Sequence, residues 1–213
     1  MPFELVNSKV IRVQVSPQNP VLARRGAMLG YSGSVTFRPV RGQGSGVGGF
    51  VGAAMSGESN PMMATEGEGQ VIYGYRGMHV TLVELDGTSP LVCEADRLLA
   101  HDAALQTSVQ MLGSGGVRAA IGGAMTGQGL FTTNIHGRGT VALLAHGNAF
   151  QIQVQGSVGV DPQAYVGHVG QLTVDIAAKV GFREVVGRGS GEAFQLKITG
   201  NGVVYVQPSE QKF

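Results

Sequence analysis

A chain of 213 residues, 43% hydrophobic and 14% charged, is long enough to bury a core and too apolar to stay disordered. Fifteen basic residues against fourteen acidic leave a net charge of +1, so no broad field holds nucleic acid or an anionic membrane. Thirty-five glycines disfavour long helices, and the one cysteine, Cys93, excludes an internal disulfide or a cysteine-built zinc site.

The first twenty residues carry Glu4, Lys9 and Arg12 among apolar positions and do not read as a signal peptide. From Val10 to Val15, apolar Ile11, Val13 and Val15 alternate with Arg12 and Gln14, which predicts a strand. Pro17, Asn19 and Pro20 predict a turn, and short strands follow at 21–23, 27–29 and 34–37, punctuated by Gly26, Gly30 and Gly33. Residues 41–57 turn glycine-rich. Gly44, Gly46 and Gly49 have the spacing of a dinucleotide-binding fingerprint, but neither the preceding strand nor the following helix is present.

A strand at 62–64 leads to Gly67-Glu68-Gly69 and then to an apolar strand at 70–73. Strands are predicted at 79–85, 91–94, 97–100 and 104–112 before a second glycine-rich stretch, 113–129. Gly137-Arg138-Gly139 then opens the strand at 140–143, with further strands at 149–154, 157–160, 164–166 and 171–176. A third glycine-containing link, 181–191, precedes residues 193–196 and the final Gly200-Asn201-Gly202 before 203–206.

The recurrence of Gly67/Gly69, Gly137/Gly139 and Gly200/Gly202 marks an internal repeat. At an offset of 67, Leu98 to His101 aligns with Tyr165 to His168, and at an offset of 70, Val10, Val13 and Leu29 fall on Val80, Val83 and Leu99. The predicted fold is therefore all-β: one sandwich or barrel-like domain over 1–213 with three pseudo-repeats. The units lie at about 57–112, 127–176 and 191–207, the last completed by the N-terminal strands at 9–38 so that neither terminal edge is left open. Glu, Arg and Asn in the middle of the glycine phrase show that the glycines, not the side chain between them, are required, as at a turn or bulge.

The phrases Ala23-Arg24-Arg25-Gly26-Ala27-Met28, Ser56-Gly57-Glu58 and Ile135-His136-Gly137-Arg138-Gly139-Thr140-Val141 point further. With Gly191-Glu192 and Thr199 to Gln207, they resemble the altered-inheritance-of-mitochondria, or mitochondrial biogenesis, family over about Val10 to Gln207. The resemblance implies a β-sandwich similar to the tryptophan RNA-binding attenuation protein, with pseudo-threefold repetition. It brings no catalytic residues with it.

Candidate chemistry is sparse. His101 and His168 are repeat-equivalent, but the third equivalent is Tyr31, which breaks any matched ligand set; strand-end residues facing solvent or making ordinary hydrogen bonds are expected. Cys93 sits among apolar residues and reads as buried and inert. Arg24, Arg25, Arg38 and Arg41 form the one basic concentration, with no tryptophan to stack a base, so nucleic acid is an unfavoured partner. Phe50, Val51 and Met55 in the first link, and Val117, Ile121 and Met125 in the second, pack as short helical turns or form an interaction surface. The expected protein is a non-enzymatic structural or scaffolding module that self-associates or binds a protein partner. The alternative is a small-ligand or RNA-binding module with its site between repeats. No cofactor or metal is expected, and the cytoplasm is the expected compartment. No apolar run spans a membrane, and peripheral membrane association stays open.

Overall fold

A computed structural model describes residues 2–40, 62–111, 131–178 and 194–210. Four strands precede the first glycine-rich link: β1 (Phe3–Asn7), β2 (Val10–Val15), β3 (Val21–Arg24) and β4 (Met28–Pro39). Between that link and the second lie β5 (Met62–Tyr73), β6 (His79–Asp86), β7 (Leu91–Glu94), a single helical turn (Ala95–Arg97), β8 (Leu98–Asp102) and β9 (Gln106–Met111). After it come β10 (Phe131–His136), β11 (Arg138–Ala145), β12 (Phe150–Val160), β13 (Tyr165–Ala178) and, beyond the third link, β14 (Phe194–Val206). The all-β expectation holds.

Two sheets form. The larger runs β1-β2-β5-β3-β8-β11-β6, with β4 also on β5. Since Tyr73 pairs with both Ile11 and Met28, β2 and β4 occupy opposite edges of β5. A backbone bond from Val80 N–H to the Ser8 carbonyl, 2.8 Å, brings β6 back to the β1–β2 turn and nearly closes this sheet into a barrel. The smaller sheet runs β12-β14-β13-β7-β10-β9. Alternation explains the faces: Ile11, Val13 and Val15 are fully buried, while Gln14 between them is exposed.

The strands that flank each glycine-rich link in the sequence pair as a long antiparallel hairpin. β4 pairs with β5 around the first, β8 and β9 with β11 and β10 around the second, and β13 with β14 around the third. The second hairpin passes from one sheet to the other, at Ala103–Leu105 on one strand and Gly137 on the other. A register shift recurs at the same place in all three, so that Leu29, Leu99 and Val166 are the extra residues of equivalent bulges. The repeat is thus visible in the pairing as well as in the sequence.

Its phase differs from the expectation. β14 is paired by β12 on one edge and β13 on the other, and among the described residues the N-terminal strands pair only with one another, β5 and β8. The contiguous spans β2–β5, β6–β11 and β12–β14 are the units, because the glycine-rich links join the two arms of one hairpin and local pairing costs the least loop-closure entropy. A circular repeat reads the same from any starting point, so composition and spacing alone leave this phase undetermined.

Three apolar clusters fill the interior. The first, with Ile11, Val71, Tyr73 and Leu99, belongs to the larger sheet, and the third, with Leu196, Ile198 and Val204, to the smaller. The second draws on both: Leu98, Val141 and Leu143 from the larger sheet meet Leu91, Cys93, Ile135 and Val166 from the smaller.

Candidate functional site

The glycine phrases sit mid-hairpin. In the first and third copies they lie inside one continuous long strand, not at a turn. Gly67 and Gly200 have φ of +111° and +127°, and a Cβ at either would overlap a backbone carbonyl of the facing strand, Ser34 or Gln171. Gly33 faces Gly69, and Gly170 faces Gly202, so glycine meets glycine where the hairpin backbones come closest. In the second copy Ala103 replaces the facing glycine and the strands break there instead, with Gly137 between β10 and β11 and Gly139 against the Asp102 side chain. These residues set backbone geometry.

The third phrase also forms one wall of an open groove of about 450 Å³. Gly170 and Asn201 lie on that wall, and Glu84, Asp86, Thr88 and Ser89, from β6 and the turn after it, lie opposite. Both Glu84 carboxylate oxygens accept from the Thr140 hydroxyl, each at 3.0 Å. Asp86 accepts from the Thr88 hydroxyl at 2.7 Å and its N–H at 2.8 Å, which holds its carboxyl below the usual range. The groove lies between the second repeat and the third and is lined by two carboxylates and two hydroxyls.

Of the two expected settings for the histidines, solvent exposure fails and ordinary hydrogen bonds are what they make. His101 and His168 are both buried. His101 Nδ1 lies 2.8 Å from the Asp102 carbonyl, and His168 Nδ1 lies 2.6 Å from the Tyr165 hydroxyl. Burial lowers both pKa values, His168 to about 4, so both rings are neutral near pH 7. Burial likewise pushes the Cys93 thiol up to about 12, and the neighbouring Glu94 adds to the effect. That is the opposite of what a nucleophile needs. No group of three or more His, Cys, Asp or Glu converges among the described residues.

Of the basic concentration, Arg25 is exposed, while Arg24 and Arg38 are engaged within the fold. Arg24 is buried: its Nε donates to the Leu98 carbonyl at 3.1 Å, its Nη2 to the Asp96 carbonyl at 2.5 Å, and its guanidinium lies over the Tyr75 ring. Arg38 pairs with Glu66. Arg41 lies outside the described residues, as do Phe50, Val51, Met55, Val117, Ile121 and Met125 of the expected interaction surface.

One buried polar centre escapes sequence reasoning. The fully buried Arg97 donates from Nε to Glu94 at 3.0 Å and from Nη1 to the Gln207 side-chain carbonyl at 2.6 Å. That carbonyl also accepts the His146 N–H at 2.9 Å, while the Gln207 amide donates to the Gln163 and Ser209 carbonyls. The centre ties the C-terminal end of β14 to the turn between β7 and β8. Nothing in the spacing of Glu94, Arg97 and Gln207 signals it, since 110 residues separate the last two.

A nearly closed β-sheet with a second sheet packed on it, built from repeated glycine-hinged hairpins, defines an all-β barrel-and-sandwich domain. Residues 3–209 match the family described as "Mitochondrial biogenesis AIM24", and the chain belongs to that family. The crystal structure of protein SPYM3_0169 from Streptococcus pyogenes is similar, with a TM-score of 0.72 and 22% identity. The match covers 97% of this chain and 92% of that one, a likeness of fold alone. No curated protein matches the chain. No helix among the described residues is long and apolar enough to cross a membrane.

Proposed function

We propose that the protein is a non-enzymatic structural or scaffolding module that works by self-association. The observation that carries this reading is the free edge of β4. No strand pairs with it among the described residues, and Met28, Leu29 and Tyr31 stand exposed along its first half. An unpaired edge with apolar side chains is a template for another strand, and proteins that stay monomeric blunt such edges with charge, proline or a cover. Here only the far end carries Arg38 and Pro39. Sedimentation across a wide concentration range tests the reading: the average mass is expected to rise above 22.1 kDa. A clean monomer at the highest concentration removes it.

The groove between the second and third repeats favours a second reading, a small-ligand module. Glu84 and Asp86 at its rim repel phosphate, which counts against RNA there. Filter binding with single-stranded RNA from low to high salt checks this, and salt-dependent retention would restore the RNA option. The cytoplasmic setting and the likeness of the fold to the tryptophan RNA-binding attenuation protein belong to the same proposal. Support for the first comes from a lone, unpaired, buried thiol. The recurrent bulged hairpin supports the second.

A further inference from the structure

The first and second repeats are joined by one short antiparallel ladder, and so are the second and third. In the first ladder β3 meets β8, with Val21 opposite Asp102, Leu22 opposite His101 and Ala23 opposite Ala100. In the other β7 meets β13, with Leu91 opposite Val169, Val92 opposite His168 and Cys93 opposite Gly167. Shifting the first ladder by 70 residues on β3 and 67 on β8 reproduces the second pair for pair. The same surface is used twice.

Each repeat therefore has a head, the strand segment that carries the bulge, and a tail, the short strand that adds to the next repeat's head. Two heads are covered within the chain, at 98–102 and 165–169, and two tails are used, β3 and β7. One head and one tail are left over. The head is β4 from Met28 to Ser32, and the tail is the end of β12, equivalent to β7 at an offset of 67. Among the described residues β4 pairs only with β5, and β12 only with β14.

Exposure follows this count. Leu29 is 60% exposed, whereas its equivalents Leu99 and Val166 are both at 0%. Tyr31 is 55% exposed against 1% for His101 and 3% for His168, and Met28 is 37% exposed against 4% for Leu98 and 0% for Tyr165. The side chains are as apolar at the open head as at the covered ones. What they lack is the tail.

Building on the self-association reading, we infer that copies of this chain join head to tail, with β12 of one copy adding antiparallel to the free edge of β4 in the next. The register follows from the two internal ladders: Val158 opposite Ser32, Gly159 opposite Tyr31 and Val160 opposite Gly30. The pairing puts Gly159 across from Tyr31, where Leu22 and Val92 face the histidines of the two covered heads. A second copy is the occupant because the tail it carries is the third instance of a surface that already fits two heads in this fold. Such an interface is heterologous, so it closes into a ring or extends as a filament according to the rotation it imposes.

Two variants and their mixture test the inference by sedimentation. Tyr31→Asp spoils the head and leaves the tail, and Gly159→Asp spoils the tail and leaves the head; both residues are solvent-facing, and far-UV circular dichroism checks that each variant folds. Wild type is expected to assemble and each variant alone to run as a monomer. The equimolar mixture is expected to form a 1:1 dimer and stop there, since one intact head meets one intact tail and both remaining ends are spoiled. As a second measurement, Tyr31→Cys and Gly159→Cys chains, each also Cys93→Ser, are expected to crosslink under oxidised glutathione only when mixed. If wild type assembles and the Asp variants assemble equally well, or their mixture stays monomeric, the head-to-tail ladder is wrong while self-association stands. If wild type itself is monomeric, both fall.

Discussion

Burial of the His168 ring beside the Tyr165 hydroxyl links protonation to folding. The ring titrates near 6.5 when exposed and near about 4 in the fold, burial being the cause. As the pH falls, the unfolded chain therefore takes up this proton first, and the fold loses stability. The contribution is intact above about pH 6.5 and lost progressively between that value and about 4, to a limit of about 3 kcal/mol. His101 shifts in the same direction for the same reason and steepens the slope. Urea midpoints should be flat from about pH 7 to 8 and decline below, and His168→Gln should decline less steeply than wild type. An equal slope in the variant would assign the acid sensitivity to other groups.

At the scale of the element, the hairpins depend on glycines that face a carbonyl. Gly200 combines φ of +127° with a Cβ position that overlaps the Gln171 oxygen, so Gly200→Ala demands that the two strands part. Gly156, with φ of +109°, has nothing within 4 Å of the same position. Gly156→Ala is expected to cost about 1 kcal/mol for conformation alone, and Gly200→Ala about 3 kcal/mol or more, read from thermal or urea unfolding. Equal losses would mean that close approach adds nothing beyond the φ value.

The same glycines show how far the sequence could be read. The alternation of Ile11, Val13 and Val15 and the recurrence of the glycine pair were legible because period and spacing are local properties. Gly30 and Gly33 predict breaks between short strands, yet β4 runs unbroken from Met28 to Pro39. The facing Gly69 lets the strand continue, and no single-strand pattern reveals what lies opposite. Burial of His101 and Arg24 was hidden for a related reason: both are polar residues covered by a neighbouring repeat, a contact fixed by the ladder and not by the residue. Repeat alignment did equate Tyr31 with the two histidines, and that equivalence is what gives meaning to its exposure. The groove was not legible at all, since its walls come from different sheets.

For the whole molecule, the second repeat is the joint. Its strands β6, β8 and β11 lie in the larger sheet, and β7, β9 and β10 in the smaller, so neither sheet is complete without it. The second apolar cluster sits between these halves, and Leu143, fully buried on β11, packs within it. Leu143→Ala leaves a cavity that both sheets line, at a cost of about 2–5 kcal/mol. Leu196 is also fully buried, but its cluster belongs to the smaller sheet alone. If the joint couples the sheets, Leu143→Ala should raise amide exchange in β5 and β14 together and keep a single unfolding transition. Exchange that rises in one sheet and not in the other would show that the halves unfold separately, with the second repeat tethering them rather than forming their common core.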